Sequence, residues 1–397
     1  MQIDNAIPPL GCQRILAIAE RDPRRAAALV RRLPRSPGEH PWHDYTFGRV
    51  LLACEQIDEA GPPLAAAAAY FHASGNTLAA LECDYALLLH AFARGASDTL
   101  ATQFDAIAKQ FAALGARAQA FRARVQLALL YDALGRGPHA DDLLSSIDTE
   151  REYASPLDRA RWQVARGATA ASARSDFSTA ITHLEDAERS FRFLRANIDR
   201  AKCWFQQAWI YAQQGELHAA ENMYLRAEHA FEHHNLPIRK ALLNRGMGNF
   251  AMMRGQYSEA LRRTLIAQRQ FENLGRANDV AQCLLNLGNL YYYTGWWSLA
   301  GAHYQRAEQL AATLEATGWE LTCRRNRAMA LHRQHKLEEA LALQESVERD
   351  ARAADLLTLA AETRGDMALV LSDLGAHQAA DDLFVSVRKD LIGLRRD

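Results

Sequence analysis

The chain has 397 residues, 49% apolar and 23% charged, and a formal net charge of −1 from 46 basic and 47 acidic residues. Such a composition supplies a large core and excludes a disordered chain, and the lack of a basic excess argues against a nucleic-acid partner. No segment reaches the roughly 18 apolar residues of a membrane span, and Met1–Leu10, interrupted by Asp4, Pro8 and Pro9, is no signal peptide, so the sequence predicts a cytoplasmic protein with no membrane partner.

Taken in chain order, residues 12–33 predict a helix pair within an N-terminal cap spanning 1–40, followed by a loop from Pro34 to Pro41. Gly61-Pro62-Pro63 and Ser155-Pro156 predict helix starts, because proline is tolerated in the first turn of a helix. Over 41–397 the chain repeats itself every forty residues, with 41–80 and 81–120 the most degenerate units. Ala60, Leu100, Ala140, Ala180, Ala220, Ala260, Ala300, Ala340 and Ala380 share one phase. A small side chain there lets two helices approach closely. Gly95, Gly135, Gly215, Gly255, Gly295 and Gly375 form a second row, read as positive-φ helix ends. Phe71, Phe111, Phe191, Phe231 and Phe271 form a third. Each unit therefore reads as helix A, a short turn, helix B and a loop, giving an all-α chain of about nine such units in one continuous domain.

The stretch Leu287-Gly288-Asn289-Leu290-Tyr291-Tyr292, followed by Gly295, Trp297, Ala300, Tyr304 and Ala307, resembles the tetratricopeptide consensus. Gly248, Gly255, Tyr257, Ala260 and Ala267 match it again, as do Tyr211, Gly215, Ala220, Tyr224 and Ala227. The resemblance covers 41–397 but departs in period, since the usual repeat is about 34 residues; the extra residues are read as lengthening both helices. A weaker likeness is to the N-terminal repeat arrays of CHAT (caspase-like) proteins. The resemblance implies a right-handed superhelical α-solenoid of antiparallel helix–turn–helix repeats whose A helices form a concave inner wall.

Residue chemistry adds no reaction. Cys83, Cys203, Cys283 and Cys323 hold one phase early in helix A, so neighbours in the row are at least about 10 Å apart, beyond the ~7 Å reach of a disulfide. No CxxC or HExxH motif, phosphate loop or GxSxG elbow is present. His229 and His233 are spaced to share a helix face but lack an evident third ligand. The sequence thus predicts no catalytic residue, no metal and no cofactor.

The groove remains. By the resemblance, the ninth position of helix A points into the inner wall, where Asn249 and Asn289 stand. An amide carries donor and acceptor and can hold a peptide backbone of any sequence. Around this row lie Arg245, Arg325, Asn286 and Asn326, then Met252, Tyr292, Tyr293, His332 and Arg333, with Gln206 and Trp209 continuing it towards the N-terminus. Such a mixture of amide, aromatic and arginine suits a protein or peptide partner. The expected function is a protein-interaction scaffold. The alternatives are a recruiting or sensing module of a larger bacterial effector and a regulator that binds a signalling peptide. On the last helix Phe384, Val387 and Leu391 are expected to pack inward, while Leu383, Val385, Ile392 and Leu394 add apolar surface, which predicts a further domain or a partner covering it.

Overall fold

The computed structural model describes residues 8–32 and 41–394, with side chains through Asp390. Residues 33–40, in the Pro34–Pro41 loop, and the side chains of Leu391, Ile392 and Leu394 lie outside the described residues. The described residues are helical throughout, with no strand.

Two compact units result. The first holds the described residues up to Ala133 and Gly137–Leu243, and the second Leu134–Arg136 and Asn244 onwards. In the first, α1 (Leu10–Ala19) and α2 (Pro23–Val30) precede α3 (Pro41–Ala53), α4 (Ile57–Ala73), α5 (Thr77–Arg94) and α6 (Asp98–Ala113). Next come α7 (Arg117–Ala133), α8 (Gly137–Ser146), a 3₁₀ turn (Asp148–Tyr153), α9 (Pro156–Arg174), α10 (Phe177–Leu194), α11 (Asn197–Gln213) and α12 (Leu217–His233). Helix α13 (Pro237–Met253) is divided between the units. The second unit continues with α14 (Tyr257–Asn273), α15 (Ala277–Tyr293), α16 (Trp297–Thr313) and α17 (Thr317–Arg333). It ends with α18 (Leu337–Ala353), α19 (Leu357–Asp373) and α20 (His377–Leu394). Sequential helices pack against each other in both units, odd-numbered ones from α3 being A helices and even-numbered ones B helices.

The period of forty is twice a period of twenty. Each helix from α11 to α19 is 17 residues long. In the turn after each, one residue adopts a left-handed conformation, from Gly215 (φ 79°) and Asn235 (φ 49°) through Glu315 (φ 54°) and His335 (φ 58°) to Gly375 (φ 82°). The following N–H returns to a carbonyl five residues back, as in Glu216 N to Tyr211 O at 2.9 Å and Trp296 N to Tyr291 O at 2.8 Å. This pairing satisfies carbonyls that a helix end would otherwise leave open. The glycine row is thus one part of a longer αL row in which Glu55 (φ 60°), Ser175 (φ 51°) and His335 stand in the same phase. Gly95 departs from the expectation. Its φ of 168° is extended backbone, and Ser97 caps α6 instead, accepting a hydrogen bond from Leu100 N at 3.2 Å.

A second correction concerns Gly61-Pro62-Pro63. Helix α4 begins at Ile57, four residues before this stretch, and both prolines lie inside it. Each proline removes one ladder bond. Full burial of Ala60, Leu64 and Ala67 holds the helix nonetheless, and His90 Nε2 bonds the Ile57 carbonyl at 3.0 Å. Ser155-Pro156 starts α9 as expected, with Ser155 Oγ accepting from Asp158 N at 3.1 Å.

Unit 1 also closes on itself through side chains far apart in sequence. The Glu55 carboxylate, in the α3–α4 turn, accepts from the N–H groups of Ile238 (2.6 Å) and Arg239 (3.2 Å) at the start of α13. These are donors a helix start leaves open. Arg161 on α9 bridges Glu20 and Asp199, the latter at 2.9 Å. Burial raises the Asp199 pKa, but Lys202 and Arg161 outweigh it and hold the carboxyl well below the ordinary range.

The three sequence rows fill the core. Phe71, Phe111, Phe191, Phe231 and Phe271 are each at most 2% exposed, and Ala60, Ala140, Ala180, Ala220, Ala300 and Ala340 are fully buried. The close approach is sharpest in unit 2, where Gly248 lies under Thr264 and Gly288 under the ring of Tyr304. A Cβ at Gly248 would come within 2.7 Å of Thr264 Oγ1. On α20, Phe384 is 42% and Val385 71% exposed. None of the described helices is long and apolar enough to cross a membrane.

Two glycines inside helices of unit 2 should respond in opposite directions to alanine. A Cβ at Gly288 would overlap the buried Tyr304 ring, whereas one at Gly365 meets nothing within 4 Å. Gly288→Ala should destabilise by about 1–3 kcal/mol through overpacking, and Gly365→Ala should stabilise by roughly 0.5–1 kcal/mol through helix propensity. Urea denaturation midpoints of the two variants check both signs.

Candidate functional site

The A helices lie closer together than the B helices. α3 touches α5, α9 touches α7 and α11, and α17 touches α19, while no comparable contact joins two B helices. At these places, among the described residues, the A helices approach one another more closely than the B helices do. Successive repeats place forty-residue equivalents on neighbouring A helices, so side chains near that offset meet. Arg122 bonds Glu82 at 2.7 Å and Ser172 bonds Asp132 in unit 1. Arg325 bonds Asp366 at 2.6 Å and His332 lies 2.7 Å from Asp373 in unit 2.

Eleven of the thirteen sequence-predicted wall residues lie in unit 2, and many already have partners. Arg245 pairs with Asp279 at 2.8 Å and lies over the Phe271 ring. The same carboxylate, 4% exposed, also receives Arg276 at 2.5 Å. Arg325 is held by Glu362 at 2.7 Å as well as by Asp366. Arg333 is exposed and stands over Trp297 at 5.3 Å. The Asn289 carbonyl oxygen accepts from the Tyr304 hydroxyl at 2.8 Å and, more weakly, from Asn326 Nδ2 at 3.4 Å. Asn289 thus satisfies a buried phenol, and only its NH₂ faces outward demands.

Asn249 and Asn286 are different. They stand 37 residues apart, the offset that joins Asn289 to Asn326. Both are half-buried, and neither amide is hydrogen-bonded among the described residues. Half-buried Met252 lies about one turn on from Asn249 and half-buried Tyr292 about one turn on from Asn289, and the Tyr293 ring, 67% exposed, packs edge-on against Tyr292 at 5.7 Å. Gln206 and Trp209 belong to α11 of unit 1. Gln206 keeps a buried amide oxygen without a partner, and Trp209, 39% exposed, meets the Phe177 ring edge-on.

One further group, on a B helix, was missed in the sequence reading. Gln344 occupies the place in α18 that Tyr304 takes in α16, is fully buried, and leaves both amide atoms without a partner. Its signal was an amide in a row that otherwise holds leucine, phenylalanine, tyrosine and, at 264, threonine.

The cysteines carry no reactive chemistry. Burial pushes the thiols of Cys83, Cys283 and Cys323 up to about 12, and that of Cys203 higher, so they remain protonated and inert. Among the described residues, no group of three His, Cys, Asp or Glu side chains is placed to hold a metal.

No family model matches the chain, and no curated protein is matched. Among solved structures, a Rap protein complexed with competence and sporulation factor is 14% identical, with a TM-score of 0.54 over 90% of this chain and 99% of that one. The fold is a tetratricopeptide-type α-solenoid. The quorum sensor NprR in complex with its cognate peptide NprX is 17% identical, over 61% of this chain and 72% of that one, with a TM-score of 0.48. A signal transduction ATPase with a tetratricopeptide repeat sensor, from Pyrococcus horikoshii, is 12% identical over 98% and 65%, with a TM-score of 0.46. The likeness to CHAT arrays gains no support from these comparisons.

In this solenoid Asn289 is a packing residue as much as a wall residue. Asn289→Ala strands the Tyr304 hydroxyl, which should cost about 1–3 kcal/mol. Asn289→Ala combined with Tyr304→Phe should recover part of that loss, as thermal unfolding of the single and double variants would show.

Proposed function

We propose that this chain is a non-catalytic scaffold that holds an extended peptide segment of a protein partner on the inner wall of unit 2, across α13, α15 and α17. The observation that carries the reading is the open amide pair Asn249 and Asn286, set on neighbouring A helices, with Met252 one turn from Asn249 and Tyr292 and the exposed Tyr293 further along α15. Two amides at one-repeat spacing offer donors and acceptors to main-chain groups of an extended segment. The flanking aromatic and thioether side chains supply area that tolerates many sequences. The other polar groups of the wall are ion-paired or engaged with neighbours, so they fix its geometry. The similar Rap structure is a complex with competence and sporulation factor, which supports a signalling peptide as the occupant in a cytoplasmic regulator. The reading calls for no metal, cofactor or nucleic acid.

The test starts from a peptide selected for binding to the wild-type chain from a displayed random library, with affinity read by fluorescence anisotropy. Asn249→Ala with Asn286→Ala should weaken that peptide by about tenfold or more, the loss of one or two hydrogen bonds, while the unfolding midpoint stays unchanged. Unaltered affinity in the double variant would remove the wall as the site.

A further inference from the structure

The forty-residue pattern breaks most sharply at α8 in unit 1. Helix α8 stops at Ser146 after 10 residues, where α4 and α12 run for 17. The chain continues as the 3₁₀ turn Asp148–Tyr153. The phenylalanine row passes through position 151, and Arg151 stands there instead. A phenylalanine would bury itself in the gap; an arginine lays its stem on the neighbours and keeps its charge wet. Arg151 lies over the Trp162 ring at 4.6 Å and pairs with Asp148 at 2.9 Å. Two cavities of about 330 and 450 Å³ remain, both bordered by Arg151, Trp162 and Gln163.

The larger cavity has an apolar side and a cationic rim. Pro156, Ala160, Leu194 and Phe193 make the apolar side. Phe193 is 88% exposed, the highest value among the large apolar side chains of the described residues. On the rim, Arg189 is paired with Asp186. Arg159 is exposed and has no acidic partner among the described residues. Arg192 and Arg195, on either side of Phe193-Leu194 in the chain, are exposed as well. In the smaller cavity Arg166 is bound to Asp141 at 3.1 Å and Ser145 at 2.9 Å, and His183 Nδ1 lies 2.6 Å from Gln163 Oε1. Burial, then the nearby Arg166, lowers the His183 pKa, so this ring adds no charge near neutral pH. The two cavities are lined by four arginines (Arg151, Arg159, Arg166, Arg189) against two aspartates (Asp148, Asp186).

We propose that this notch binds a small organic anion, with its apolar body on Phe193, Leu194 and Pro156 and its anionic group at Arg159. The larger volume falls within the range of about 300–1,000 Å³ typical of small-molecule sites. An apolar body alone would leave Arg159 unanswered, and a bare anion would leave Phe193 in water. None of the residues lining the notch lies on α13 or α15.

The probe is 8-anilinonaphthalene-1-sulfonate, an apolar ring system carrying one anionic group, with its neutral relative N-phenyl-1-naphthylamine as the comparison. The wild-type chain should give a saturable, one-to-one fluorescence rise with the sulfonate and bind the neutral compound at least about tenfold more weakly. Arg159→Glu and Phe193→Ser, both at exposed positions, should each weaken the sulfonate by about tenfold or more without shifting the unfolding midpoint. Wild-type affinity in either variant, absence of saturation, or equal binding of the neutral compound would overturn the proposal.

Discussion

One backbone event organises the molecule: a single residue in the left-handed region after nearly every helix. A run of 17 helical residues and a three-residue turn make twenty, and two such steps make the repeat of forty. The turn length is fixed by the return bond from the third N–H past the helix end, so successive helices restart in the same sequence phase. The alanine, phenylalanine and cysteine rows follow from that regularity. Glycine takes the position at little steric cost, whereas Glu55, Ser175, Arg195, Glu315 and Asp355 accept a strain of about 1–2 kcal/mol each. Burial of the adjoining helix faces is large enough to hold those residues in place.

The same regularity decides what the inner side can offer. Neighbouring A helices repeat each other's faces, so a polar side chain meets its partner one repeat away: Arg325 finds Asp366, His332 finds Asp373, and Arg122 finds Glu82. A repeat protein can thus use up its polar side chains in stiffening its own wall. That pairing lapses at Asn249 and Asn286, whose amides are not hydrogen-bonded among the described residues. In unit 1 the lapse takes another form, a helix cut short at Ser146 with an arginine in a phenylalanine's place.

Much of the architecture was legible in the sequence because small and aromatic residues cannot exchange places in a packed core. The phenylalanine and alanine rows are buried as their spacing demands. Turn geometry was less legible. Glycine announces a positive φ, but His335 and Ser175 adopt one without any such signal, and Gly95 declines it because Ser97 caps the next helix. Pro62 and Pro63 misled for a related reason: local cost was outweighed by burial that no single helix reveals. At the candidate site, the ninth-position rule found Asn249 and Asn289 together, yet only the coordinates separate them, since the partner of Asn289 is a hydroxyl on the following B helix. The partners of Arg325 and His332 could have been read by looking for carboxylates about forty residues on.

The claim that these turns set the register is tested most directly at His335, an exposed residue with φ 58° in the α17–α18 turn. Equilibrium unfolding of His335→Gly and His335→Val compares a residue at ease in the left-handed region with one that resists it. Glycine should raise stability by about 0.5–1 kcal/mol and valine should lower it by about 1–2 kcal/mol. Loss of stability with glycine, as in a helix interior, would contradict the account.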